Sequence, residues 1–179
     1  ILKKYNITNG FYAGINNINP GAGYIDFHLD NIIVLSSRGI LGFTDNLNNH
    51  SNFKQIKNNL NDFIGYDQFI KLNWFSFKDI NIQNDKILIS YTEEIKSDCW
   101  NTSVVLGEMN YEEIIFKKLF SAKNLLKSKT CTHSTNFREA VKTLGNKFTP
   151  DNVDREFNAH QSGGRIINFD KNHILLSVG

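Results

Sequence analysis

The segment FNAHQSGGRIINFDKNHILLSVG, Phe157 to Gly179, has the make-up of a strand-turn-strand unit. Gly163-Gly164 opens an extended run, Arg165 to Phe169 alternates in character, Asp170-Lys171-Asn172 supplies a turn, and Ile174 to Val178 is apolar. Alternating runs separated by Gly- and Asx-rich breaks are the mark of paired strands. The segment therefore predicts a hairpin, preceded by the polar apex Asn158-Ala159-His160-Gln161-Ser162, with His160 at its mouth.

Upstream, the same pattern occurs twice more. Tyr24 to Leu29 alternates, Asp30-Asn31 turns, Ile32 to Ser36 is an apolar strand, and Ile40 to Phe43 returns after Ser37-Arg38-Gly39, with Phe53 to Leu60 as an outer strand. Phe75 to Ile82 then alternates, Gln83-Asn84-Asp85 turns, and Lys86 to Thr92, Trp100 to Glu108 and Glu113 to Phe120 follow as strands. Aromatic and β-branched runs at this spacing, with little helical periodicity, predict an all-β chain. A repeated four-stranded antiparallel meander is the unit of a β-propeller, and the same short strands also suit a β-sandwich.

Composition excludes several functions. Lys+Arg 20 against Asp+Glu 18 leaves a net charge of +2, scattered in pairs such as Lys3-Lys4 and Lys117-Lys118, which gives no nucleic-acid patch. No apolar run is long enough for a membrane span. Cys99 and Cys131 lack a C-x-x-C spacing and a nearby His pair, so zinc is not expected; a disulfide or two reduced thiols remain. The start, Ile1-Leu2-Lys3-Lys4-Tyr5, lacks an initiator Met and a signal-peptide core, which reads as a processed or trimmed terminus. The abundance of Asn reflects codon bias, so the Asn-x-Ser/Thr triplets at Asn6, Asn49 and Asn101 carry no weight.

HQSGGRI, followed by a short turn and an aliphatic strand ending Ser177-Val178-Gly179, resembles the soluble quinoprotein glucose dehydrogenases and the wider glucose/sorbosone dehydrogenase family. KDINIQNDKILISYT, 78–92, looks more loosely like an earlier blade of that family. The resemblance implies a six-bladed β-propeller, oxidation of an aldose sugar or related alcohol with pyrroloquinoline quinone (PQQ) and calcium, an external electron acceptor, and a periplasmic or secreted location. An oxidising compartment would favour a Cys99–Cys131 disulfide. The chain would then be the N-terminal part of one propeller domain, a partial six-bladed β-propeller of about two and a half four-stranded antiparallel blades. Its blade-like units are expected at 22–60, 75–120 and 162–179, with a long loop over 121–161 on the active-site face and a short helix at Thr135 to Leu144. Quinone and calcium contacts would lie mainly beyond Gly179.

His160 matches the family's catalytic base. Oxidising a sugar at the anomeric carbon removes a hydride and a hydroxyl proton, and a neutral imidazole with a pKa of about 6.5 suits the proton. The quinone suits the hydride. Gln161 is a candidate substrate-binding residue. Ala159 departs from the acidic residue that can precede this His in the glucose enzymes. Gly163 and Gly164 are expected to allow close backbone approach or positive φ, and Arg165 to form a salt bridge between blades. His28, His50, His133 and His173 show no ligand spacing and are expected on strands or the surface; Trp74 and Trp100 are expected in the core between blades. The rival function is a non-catalytic propeller that binds a glycan or a protein partner.

Overall fold

The computed structural model describes residues 6–8, 23–36, 39–44, 50–64, 77–96, 99–121 and 163–177. Nearly all of them lie in or between strands: β1 (Asn6–Thr8), β2 (Gly23–His28), β3 (Asn31–Ser36), β4 (Leu41–Thr44), β5 (His50–Gln55), β6 (Lys57–Asn58), β7 (Phe77–Gln83), β8 (Lys86–Lys96), β9 (Cys99–Glu108), β10 (Glu113–Ile114), β11 (Lys117–Ser121), β12 (Ile166–Asn168) and β13 (Ile174–Leu176). One 3₁₀ turn spans Leu60–Phe63. The chain is all-β, as its alternation predicts.

Strands β2 to β5 form an antiparallel meander, to which β1 adds in parallel beside β5. Strands β7, β8, β9 and β11 form a second four-stranded antiparallel meander, and β12 pairs with β13 as the predicted hairpin. The turns follow their residues. At the β7–β8 turn, Asn84 (φ 48) and Asp85 (φ 58) take the left-handed conformation that a two-residue hairpin requires and that Asn and Asp tolerate best. Leu29 (φ 53) holds that conformation at the β2–β3 turn, where its side chain is exposed.

Alternation along β8 sorts the core into two layers. Ile87, Ile89 and Tyr91 join Phe77, Val105, Ile33, Leu35 and Leu41 in a cluster between the first and second sheets. Leu88 on the opposite face joins Val104 and Ile166, flanked by Ile174 and Leu176, between the second sheet and the hairpin. Fully burying each such aliphatic side chain contributes about 1.5–3 kcal/mol. The three units are thus stacked face to face, and their first strands are neighbours: β2 lies beside β7, and β7 beside β12. Both ends of the stack carry apolar side chains in the open, Ile25 and Phe27 on β2, and Ile167, Phe169 and Leu175 on the hairpin.

Two predicted strands are each divided. Phe53 to Leu60 breaks at Ile56, and Glu113 to Phe120 breaks at Ile115-Phe116, so that β6 and β10 can pair in parallel and tie the first two sheets together. The Asn59 side chain reinforces this tie, accepting from the N–H of Phe116 at 2.8 Å and donating to its carbonyl at 3.2 Å.

Candidate functional site

The register of β7 against β8 shifts between Phe77 and Asp79, which makes Lys78 a bulge residue. A bulge re-aims side chains. Phe77 goes to the core between the sheets, whereas Asp79 turns toward the hairpin. Lys78 (7 % exposed), Asp79 (8 %), Ser90, Thr92 and Thr102 form a buried polar patch in which Ser90, Thr92 and Thr102 continue the hairpin-facing alternation of Leu88 and Val104.

The start of the hairpin is bonded onto this patch. Asp79 Oδ2 accepts from the backbone N–H of Ile166 at 2.8 Å, and Oδ1 meets Arg165 Nη1 at 3.4 Å. The Ser90 hydroxyl donates to the carbonyl of Gly164. Ser177 Oγ accepts from the N–H groups of Gly164 (3.2 Å) and Arg165 (3.0 Å). The Arg165 guanidinium stands 5.9 Å from the centre of the Tyr24 ring on β2. Gly164 has φ 127, and a Cβ there would lie 2.6 Å from Lys78 Cβ, so both its backbone and its surroundings demand glycine.

Burial pushes the Lys78 amine down to about 8, and among the described residues no carboxylate is paired with it. Burial also raises the Tyr24 phenol, against the opposing charge of Arg165. The Thr102 hydroxyl is buried without a hydrogen-bond partner.

Two further polar clusters have their groups spent on one another. At the turn end of β7, His28 bonds Tyr111 Oη through Nδ1 (2.7 Å) and Asp85 through Nε2 (2.8 Å), and Asn31 donates to the same phenol (3.0 Å). Tyr111 in turn packs on Phe43, with ring centres 4.7 Å apart. This cluster clamps the β2–β3 and β7–β8 turns to the loop after β9. On the other face of the second sheet, burial alone would raise the Glu93 carboxyl, but hydrogen bonds from Lys118, Ser103 and Ser121 outweigh it and hold it below the usual range. A cleft of about 310 Å³ opens beside the hairpin, lined by Leu88, Leu106, Leu119 and Ile174 with Lys86 and Lys171.

Of the residues singled out in the sequence, His160 and Gln161 lie outside the described residues, as do Cys131, His133 and Trp74. Cys99 and Trp100 begin β9 and His50 begins β5. Arg165 makes its bridge to the neighbouring unit, Gly164 has its positive φ, and His173 bonds the Asp170 carboxylate at the hairpin turn. Sequence reading missed Lys78 and the Tyr111 clamp on His28. No residue pattern in Phe77–Gln83 marked Lys78, because its bulge arises only in register against β8. Comparison with family models, curated proteins and solved structures gave no match. No helix among the described residues is long and apolar enough to cross a membrane, and no group of three or more His, Cys, Asp or Glu among them could hold a metal ion.

Proposed function

We propose that the chain is part of a six-bladed β-propeller of the glucose/sorbosone dehydrogenase kind, which oxidises an aldose or related alcohol with PQQ. What supports this is one spatial order. The first strands of three successive units, β2, β7 and β12, are neighbours, and the third is preceded in sequence by His160-Gln161-Ser162-Gly163-Gly164. The inner strands of a propeller surround a central channel where residues from distant parts of the chain converge on a ligand.

His160 takes the proton of the substrate hydroxyl, and Gln161 hydrogen-bonds a neighbouring hydroxyl to orient the sugar. The quinone, when bound, supplies the hydride acceptor and passes electrons to an external carrier. The cations beside Gly164, Lys78 and Arg165, are of the kind an anionic quinone takes. No group of three or more His, Cys, Asp or Glu that could hold a metal ion lies among the described residues. Export to the periplasm or beyond, with Cys99 and Cys131 bridged, belongs to the same proposal.

The test is reconstitution with the quinone and calcium, followed by a panel of aldoses with an artificial electron acceptor. Turnover is expected, falling by about 10²–10⁴-fold in His160→Ala, the usual worth of a general base, with circular dichroism unchanged. His160→Gln keeps a polar side chain but cannot take the proton and should be similarly damaged. Near-normal oxidation by either variant rejects the role of His160. Glycan binding without oxidation by the reconstituted wild type rejects the enzyme in favour of a binding propeller.

A further inference from the structure

We propose that His28, Tyr111 and Asp85 form a proton-operated latch at the turn end of the first two sheets, closed by imidazolium and loosened by neutral imidazole. The latch lies at the end of β7 away from Gly164, and it goes beyond sugar oxidation without resting on it. Four contacts build it. His28 Nε2 meets Asp85 Oδ1 at 2.8 Å and Nδ1 meets Tyr111 Oη at 2.7 Å, while the phenol oxygen accepts from Asn31 Nδ2 at 3.0 Å and its proton goes to the His28 carbonyl at 3.2 Å. The backbone joins in, because the N–H of Met109 donates to the Asp85 carbonyl at 2.7 Å. The β2–β3 turn, the β7–β8 turn and the loop after β9 thus meet at one imidazole ring.

The protons available fix which state satisfies every contact. A carboxylate only accepts, so Nε2 carries a proton toward Asp85. The phenol has one proton to give, and the His28 carbonyl also only accepts. With that proton on the carbonyl, Nδ1 must donate to the phenol oxygen, and the ring is then protonated on both nitrogens. In the neutral ring Nδ1 takes the phenol proton instead, and the carbonyl loses its donor. Deprotonation therefore removes one hydrogen bond, in a place where the His28 side chain is only 11 % exposed and water is a poor substitute. Titratable groups facing the ring are Tyr111 from the loop after β9 and Asp85 from the β7–β8 turn. Asp26, two residues back along β2, is committed to the N–H groups of Phe27 and Ile82. From β4, Phe43 packs on Tyr111 with Lys54 over its ring. The adjoining turns and loop also carry Asp30, Glu108 and Glu112 against Lys86, so acidic groups predominate and favour the imidazolium.

The test is amide hydrogen exchange on the full chain from pH 5 to 8, the range over which imidazole ordinarily changes charge, corrected for the intrinsic effect of pH on exchange. The closed latch holds a proton that the open one gives up more readily, so its protection is present in acid and lost as pH rises. Opening at the Met109 amide should increase roughly two- to tenfold across the range, the worth of one hydrogen bond. In His28→Gln, which cannot change charge, the same amide should lose this dependence. The wild-type ring gives a second reading that needs no variant. In ¹⁵N spectra of labelled histidine, with His28 assigned through its contact with Tyr111, a slowly exchanging proton is expected on each ring nitrogen in acid and on Nε2 alone in base. Met109 protection that does not fall as pH rises, or that falls equally in His28→Gln, overturns the latch. So does a neutral ring protonated on Nδ1, because Asp85 would then face a bare nitrogen.

Discussion

The carboxylate of Asp79 on β7 accepts the backbone N–H of Ile166 on β12 at 2.8 Å, and one unit earlier Asp26 on β2 accepts the N–H of Ile82 on β7 at 2.6 Å. Each first strand is therefore joined to the next by a side chain rather than by a ladder. Asp79→Ala leaves the Ile166 N–H buried without its partner and should cost about 1–3 kcal/mol. Asp79→Asn keeps an acceptor, loses only the partly exposed pairing with Arg165, and should cost less. Urea unfolding gives the cost, and hydrogen exchange at Ile166 locates it. A wild-type exchange rate at that amide in Asp79→Ala would count against the link.

Gly164→Ala should destabilise the start of the hairpin by about 1–3 kcal/mol, the usual cost of a side chain in a sparsely populated backbone region. Its Cβ would also press on Lys78 Cβ, which belongs to a strand and cannot swing away. Unfolding midpoints of Gly164→Ala and Gly163→Ala provide the comparison. An equal effect at both positions would deny Gly164 its special conformation.

Leu29 is an exposed leucine in the left-handed region, which costs an L-residue roughly 1–2 kcal/mol. Asn tolerates that region, so Leu29→Asn should raise stability by about 0.5–1 kcal/mol. A lowered thermal midpoint would show that the leucine is held there by a favourable contact.

Lys78 makes stability depend on pH in the alkaline range. Its folded pKa of about 8 lies below the ordinary 10.5, so between these values the unfolded chain binds more protons than the folded one. Stability from this group therefore rises with pH across that window, and below it the buried charge carries its full cost, on the order of 3 kcal/mol. Lys78→Met should accordingly be more stable than wild type at pH 7, with the advantage shrinking toward pH 10. Urea titrations of both proteins at the two pH values check this, and a constant difference would refute it.

Local chemistry made much of the architecture legible. Asn84-Asp85 and Asp170 to Asn172 declare turns by residue type, and the runs beside them alternate, so the meanders and the hairpin at β12–β13 could be placed before the structure. What stayed hidden depends on partners far along the chain. Phe53 to Leu60 reads as one strand because its pattern contains nothing of Phe116, which the Asn59 amide binds across the interface. Lys78 looks like any residue of an alternating strand, since its bulge exists only in the register against β8. Tyr111 and His28 are equally uninformative apart. At the candidate site, the Gly164 turn and the Arg165 bridge were legible because glycine and arginine announce their needs, whereas the amine beneath them did not.

The Asp26 and Asp79 links give the stack a direction in time as well as in space. Each carboxylate sits on an earlier unit and takes an N–H from a later one. During synthesis Asp26 must stay in water until β7 leaves the ribosome, and Asp79 until β12 does. Each of the first two units is thus finished by its successor, and a ribosome paused between them holds a sheet whose apolar face is still open to chaperones.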